Sequence, residues 1–342
     1  MRAHRSGGAV KETVVVLHQS MTDEAGPDEL DVLDQAAAIG SELRRMGYRV
    51  HSLPFDLDLK TLTQRIHKHR PRCVFNLVET VMGDGRLSHV ACTYLDIIGV
   101  PYTGSGPDAM YLTSNKVLAK SLMRAWGIPT PEWYVPGTPR GCPLDFPCTW
   151  IVKPVWEDAS VGIDEGCVVK ASSIEELAGH VLLRERTLER PCFAERFVDG
   201  REFNVALLAS PGGPPEILPV SEIAFSLGEG EPRIVGYRAK WVEDSPEYTG
   251  TVRVLDFPED DSALLSLLKD TARACWDRFG LRGYARVDFR VDPDNAPRVL
   301  EVNANPCIAP DSGFCASARR AGIPLGDLVG RILNDAVGHL PP

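Results

Sequence analysis

This sequence predicts an α/β protein made of more than one domain, and three observations carry that expectation. Strand-like and helix-like stretches alternate through the first hundred residues, the pattern of a small parallel sheet covered by helices. After residue 112 that texture gives way to short strands punctuated by prolines. Further on, residues 285–290 and 299–303 each alternate apolar and polar side chains with period two, on either side of a turn-rich stretch at 292–297.

Residues 13–17 form a short β-branched run and read as a buried strand. Leu30, Leu33, Ala37 and Leu43 recur at helical spacing within 28–46, and Gly47 follows as a C-terminal stop. Strands are expected at 48–53 and 73–78, around a helix at 61–69, with a last strand of this sheet at 99–102. A helix over 114–126 would start with Ser114 as its cap and end at Gly127. Beyond it come a strand at 149–153, a helix at 173–189 and a strand at 192–198. Strands near 204–209, 217–221 and 234–237, a helix at 262–279, the hairpin and a terminal helix complete the chain. The changes in texture divide it into 1–112, 113–204 and 205–342.

Composition bounds the partners. The 342 residues are 44% hydrophobic and 25% charged, with a formal net charge of −10. An acidic balance argues against nucleic acid and anionic membrane, and leaves small-molecule substrates as the expected partners. No apolar run approaches the ~18 residues of a membrane span, and the basic start lacks the apolar core of a signal peptide. Nine cysteines without a Cys-x-x-Cys pair point to reduced thiols in the cytoplasm rather than a disulfide framework or zinc site.

The hairpin carries the chemistry. If its strands fold back about the middle of the turn, Asp288 falls opposite Glu301 and Arg286 opposite Asn303, on one face. Facing carboxylates call for a cation between them. Asp, Glu and Asn oxygens are the ligands Mg²⁺ takes, with phosphate oxygens and water completing its shell. Arg286, one step along, could then meet an anion beside the metal. Lys153 ends an apolar strand ahead of a loop containing Ser160 and Gly162, where backbone N–H groups can approach phosphates. Lys116 could reach the same anion. Phe197 and Val198 offer apolar surface and backbone groups to a base, and Glu202 an acceptor to ribose hydroxyls. Together these residues suggest a Mg-ATP site.

In this order the motifs resemble those of the ATP-grasp ligases, and most nearly the D-alanine–D-alanine ligase family. The set comprises a helix lysine, a strand Lys-Pro with a small-residue loop and Glu-x-x-x-x-Gly-x-Glu over 195–202. It continues with Tyr-x-Ala-Lys over 237–240, Arg-x-Asp over 286–288 and Glu-x-Asn-x-Asn-Pro over 301–306. The resemblance covers essentially the whole chain and implies a three-domain ATP-grasp fold. It implies that Lys116, Lys153 and Ser160 hold ATP phosphates, that Glu195 and the Phe197–Val198 backbone meet adenine, and that Glu202 meets the ribose. Lys240 would touch the γ-phosphate. Asp288, Glu301 and Asn303 would bind two Mg²⁺ ions, for which Mn²⁺ can substitute. Arg286 would stabilise an oxyanion and Ser312 the second substrate's carboxylate. A homodimer is one state the resemblance allows.

The departures from that family sit at the first-substrate end. The first loop, 18–26, lacks a Gly-Gly, and Glu29 or Asp31 must stand in for its glutamate. Val78-Glu79 replaces a His-Gly, Ala159 and Trp241 replace a lid serine and tyrosine, and Cys307 replaces a glycine. The expected activity is ATP-dependent joining of a carboxylate to an amine, on amino acids other than D-alanine alone. The other reading is a non-catalytic nucleotide or amino-acid sensor. Retention of Arg286 favours the enzyme, since a pure binder has less need of an oxyanion residue.

Overall fold

A computed structural model describes residues 11–21, 26–138, 144–157, 160–228 and 230–338. The basic start, part of the first loop (22–25) and Ala159 lie outside the described residues. Among those described, the strands form three sheets.

The first sheet is parallel, with β1 (Thr13–Gln19) between β2 (Arg49–Phe55) and β3 (Cys73–Leu77). Burial on both faces explains why β1 and β3 read as unbroken apolar runs. Helix α1 (Pro27–Arg45) packs against this sheet and the C-terminal helix through Val32, Ala36, Ile39 and Leu43. The face expected from Leu30, Leu33 and Ala37 is solvent-exposed instead. Both stripes of α1 are apolar enough to be a core face, and only the position of the C-terminal helix chooses between them. Gly47 follows the helix with φ +95, the backbone that favours glycine.

Helix α2 (Leu59–His69) buries Leu62 and Ile66. After α3 (His89–Ile97), Gly99 turns with φ +65, so the strand expected at 99–102 is reduced to one bridge between Val74 and Tyr102. Two helices then follow directly, α4 (Pro107–Ser114) and α5 (Lys116–Ala125). The cap of α5 is Asn115, whose side chain accepts from Leu118 N at 2.9 Å; Ser114 instead ends α4.

The second sheet is antiparallel, in the order β4-β7-β5-β6: β4 (Trp133–Tyr134), β5 (Cys148–Pro154), β6 (Val168–Ala171) and β7 (Cys192–Arg196). Helix α6 (Ile174–Leu188), capped by Ser173, covers it with Leu177 and Val181 against Trp150, Val152 and Ala194. This core is separate from the two larger ones, which the first and third sheets share.

The third sheet runs β11-β10-β8-β12-β13, with β9 also on β8. Its strands are β8 (Arg201–Ser210), β9 (Gly213–Ile217), β10 (Ser221–Phe225), β11 (Thr251–Val254), β12 (Tyr284–Val291) and β13 (Pro297–Asn303). The strand expected at 217–221 spans the break between β9 and β10, where Pro219 cannot donate to a ladder. No strand forms at 234–237; Tyr237 opens the short helix α7 (Tyr237–Trp241), followed by α8 (Pro246–Thr249). Helix α9 (Ser262–Phe279) lies where expected, and α10 (Gly313–Arg320) and α11 (Leu325–Gly338) close the chain.

One close approach joins the outer sheets. A Cβ on Gly283 would lie 2.9 Å from the backbone of Gly104, and both glycines have positive φ. The backbones therefore touch where β12 begins. No helix among the described residues is long and apolar enough to cross a membrane.

Candidate active site

Strand β12 is central in its sheet, and its neighbours determine the site. Arg286, Asp288 and Arg290 alternate onto one face. On one side the register sets Asn303 opposite Arg286 and Glu301 opposite Asp288, as the sequence predicted. On the other, β8 sets Asn204 opposite Asp288 and Glu202 opposite Arg290. Asp288 accepts from Arg286 Nε and Nη2, both at 2.8 Å, from Asn204 Nδ2 at 2.7 Å and from Asn303 Nδ2 at 3.1 Å. Glu301 pairs with Lys116 Nζ at 3.0 Å. The cation that the facing carboxylates call for is thus supplied in part by the protein's own Lys116 and Arg286. Burial would raise the Glu301 pKa, but Lys116, Lys153 and Arg286 outweigh it and hold the carboxyl well below its usual range.

A second charged group lies beneath. Lys153 on β5 and Glu195 on β7 are diagonal neighbours on one sheet face, because Glu195 pairs with Ile151. Lys153 Nζ lies 2.7 Å from Glu195 Oε1, and Lys120 of α5 contacts the other oxygen. Lys120 and Glu195 are 0% and 1% exposed. Taking such charges out of water costs several kcal/mol per ion, and only close pairing offsets it. Lys120 also donates to Thr130 Oγ1 at 2.9 Å and to the Leu300 carbonyl at 3.2 Å. That carbonyl belongs to an irregularity in the β12–β13 ladder, where the register shifts between Asp288 and Phe289. Burial pushes Lys120 down to about 8, against the attraction of Glu195. Burial would raise Glu195, yet the two lysines hold it below its usual range.

These contacts correct one expectation. Glu195 is not presented as an adenine acceptor; its carboxylate is committed to Lys120 and Lys153. The backbone after β7, at Phe197 and Val198, also lines the cavity. Phe197 N donates to Thr149 O at 3.0 Å, and the Val198 carbonyl accepts from Arg290 Nε at 2.9 Å. The Val198 N–H has no backbone partner among the described residues and remains as a donor; the Phe197 carbonyl, in the same trans peptide unit, points the opposite way. Arg290 also binds Glu202 at 3.1 Å and the Arg233 carbonyl at 2.8 Å, beneath the Phe197 and Phe225 rings. Burial raises the Glu202 carboxyl, with Arg290 opposing.

Ser160 sits at φ +62 and donates its hydroxyl to the Val235 carbonyl at 2.7 Å. It ties the loop after β5 to the segment leading into α7 and Lys240. Ser312 caps α10, its Oγ accepting from Cys315 N at 3.3 Å.

Except for the fully buried Lys120, the charged side chains described above line one cavity of about 580 Å³, a usual size for a small-molecule site. Its far end is lined by Asp31, Glu79, Cys307, Asp311, Ser312 and Arg253. Of the two candidates on α1, Glu29 is used at the helix start, bonded to Gly26 N at 3.3 Å, whereas Asp31 faces the cavity and accepts from Cys307 Sγ at 3.2 Å. Burial raises the Asp31 carboxyl and pushes the Cys307 thiol above its ordinary range, so Cys307 stays protonated.

Sequence reasoning missed Lys120, Asn204, Arg290 and Arg253. Lys120 and Arg290 left a signal: the first is four residues after Lys116 on one helix, and the second continues the alternation of Arg286 and Asp288. Asn204 and Arg253 left none, because only strand register brings them in.

The family model of the D-ala D-ala ligase C-terminus matches residues 142–334. An uncharacterized protein, y4sG, of Sinorhizobium fredii (strain NBRC 101917 / NGR234) is 33% identical, covering 88% of this chain and 87% of its own. A D-alanine--D-alanine ligase of Synechococcus sp. (strain JA-2-3B'a(2-13)) is 32% identical, covering 86% and 85%. Among solved structures, D-alanine--D-alanine ligase from Bacillus anthracis complexed with ATP superposes with a TM-score of 0.70 at 18% identity, covering 96% of this chain and 98% of that one. D-alanyl-alanine synthetase A from Vibrio cholerae gives 0.71 at 16% identity, covering 97% and 100%. These are ATP-grasp folds, and the three sheets described above follow the same course.

Proposed function

The chain belongs to the D-alanine–D-alanine ligase family, and we propose that it joins a small carboxylate to an amine at the expense of ATP, with amino acids as the substrate class. The observation that carries this reading is the polar face of β12, where Arg286 and Asp288 stand between Glu301, Asn303 and Asn204. The domain boundaries that go with it are 1–112, 113–204 and 205–342, with the nucleotide between the second and third parts.

The donor set suits magnesium. Two carboxylates and an amide oxygen are hard ligands that leave positions for water and phosphate oxygens. Asp288, Glu301 and Asn303 would hold the ions, two Mg²⁺ with Mn²⁺ able to substitute, and bound metal would neutralise phosphate charge. The remaining work falls to the chain's own groups. Lys116, Lys153 and Lys240 draw the phosphates into line, since phosphoryl transfer is mainly positioning and charge neutralisation. The Val198 N–H fits a ring nitrogen of adenine, the Phe197 side chain offers apolar surface to the base, and Glu202 fits the ribose. The substrate carboxylate attacks the γ-phosphorus as the bond to the β,γ-bridging oxygen breaks, giving an acyl phosphate and ADP. An amine then attacks the acyl carbonyl, Arg286 stabilises the negative oxygen of the tetrahedral intermediate, and its collapse expels phosphate as the amine loses a proton. Ser312 orients the amine's carboxylate.

Asp31, Glu79 and Cys307 at the donor end support a donor other than D-alanine alone. Their carboxylates suit an ammonium group, and the Cys307 side chain occupies space a glycine would leave open. The test offers D- and L-amino acids singly and in pairs with ATP and Mg²⁺, measuring phosphate release and product mass. Amine-dependent phosphate with a new amide product is expected. Absence of amine-dependent turnover throughout would instead make the protein a sensor.

A further inference from the structure

Arg253 stands apart from the other charged groups of the cavity. Those on β12, β5 and α5 have counter-charges in contact, whereas Arg253 has no hydrogen-bond or ion-pair partner among the described residues. It lies on β11, where Ile223 of β10 is its register partner, and both line the cavity with Arg286 and Ser312. Its guanidinium reaches the start of α10: a Cβ on Gly313 would meet Nη2 at 3.3 Å and Nε at 3.4 Å. The charges around it are Arg286, Arg319 and Asp311. Arg286 is balanced by its bidentate contact with Asp288. Asp311 is the one acid among them, and Arg319 also donates to the Pro310 carbonyl. The first amides of α10 add about half a positive charge at that helix end. Partial burial and the two neighbouring arginines lower the Arg253 pKa, with Asp311 opposing them.

We infer that Arg253 is a specificity-determining residue which, with Ser312 and the first turn of α10, receives the α-carboxylate of the amine substrate. The inference rests on the ligase reading and adds to it a residue that selects for the acceptor's carboxylate. A planar guanidinium fork fits a carboxylate in a way that an ammonium group does not. Each oxygen could take one guanidinium N–H while keeping a lone pair for the Ser312 hydroxyl or an α10 amide.

The experiment compares wild type, Arg253→Ala and Arg253→Lys, with D- and L-alanine, the matching alaninamides and D- and L-glutamate as acceptors. Arg253→Ala should raise the KM for the free amino acid by about 10- to 100-fold, the worth of a hydrogen bond to a charged group. The preference for acid over amide should collapse by the same factor, the ATP KM should stay within about twofold, and Arg253→Lys should recover part of the loss, since it restores charge without the fork. Unchanged acceptor KM and preference, or an equal rise in the ATP KM, would overturn the assignment. So would a loss confined to glutamate, which would move the contact to a side-chain carboxylate. Calorimetric titration of the same compounds, with a non-hydrolysable ATP analogue present, separates this from the ligase reading. Acid binding that is weakened by Arg253→Ala supports the assignment even in a protein with no turnover. Equal binding of acid and amide by wild type sinks it.

Discussion

The two ends of the cavity handle charge in opposite ways. At the end proposed for the nucleotide, Lys120, Lys153 and Glu195 are buried in mutual contact, and Lys116 pairs with Glu301 and Arg286 with Asp288. At the substrate end, Arg253 and Asp311 are exposed, and Asp31 meets a thiol rather than a cation. Buried charges must be paired within the protein, because their desolvation cannot otherwise be offset. Charges open to the cavity can wait for a ligand.

The largest effect should come from breaking the polar face of β12. Asp288→Asn or Glu301→Gln should cut turnover by about three decades or more, the scale of several kcal/mol of lost metal-borne charge stabilisation. Nucleotide affinity, measured by calorimetry, should fall far less, because the adenine contacts lie elsewhere. Near-normal turnover would mean the chemistry happens at another place. Arg286→Ala should follow at about two to three decades, the worth of an oxyanion donor, and single-turnover kinetics will show whether the amide-forming step slows.

Glu195→Gln tests the buried group through stability rather than rate. It leaves Lys120 and Lys153 facing each other without their counter-ion, at a cost of about 3–5 kcal/mol, readable from the urea midpoint. A second change, Lys120→Met, should restore part of that loss by removing one uncompensated charge. A Glu195→Gln protein as stable as wild type would show that the pairing contributes little.

Acid should expose the same contrast. Glu195 and Glu301 are both held below the carboxylate's ordinary value of 4.5 in the folded protein. Each unfolded carboxyl therefore binds its proton first as pH falls. Their contribution to stability is complete above about pH 4.5 and is lost as pH drops through the folded values. Glu301→Gln should flatten that acid limb in a pH series of urea midpoints. A limb as steep as in wild type would place the acid-sensitive groups elsewhere.

Glu79→Ala should have the smallest effect, a change of about tenfold or less in donor KM or preference with the ATP KM nearly constant. Efficient formation of D-alanyl-D-alanine by wild type, with every other pair far slower, would remove the case for a rebuilt donor end.

By itself the sequence determined the hairpin and the order of the nucleotide motifs. Period-two alternation restricts the register to this pairing or a two-residue shift of it; the assembled sheet selects this pairing, with a bulge at Leu300 between the turn and the facing carboxylates. It determined α9 as well, since an amphipathic stretch ending at Gly280 is specified locally. Tertiary structure decided which face of α1 is buried, because two apolar stripes compete and only the C-terminal helix chooses. It reassigned Glu195, whose spacing suits a ligand contact equally well until two lysines from α5 and β5 arrive. It also brought Asn204 and Arg253 to the site, through strand pairings separated widely in sequence. Local pattern is written in neighbouring residues, but counter-charges are supplied by whichever strands and helices pack alongside, and that is settled only when the sheets assemble.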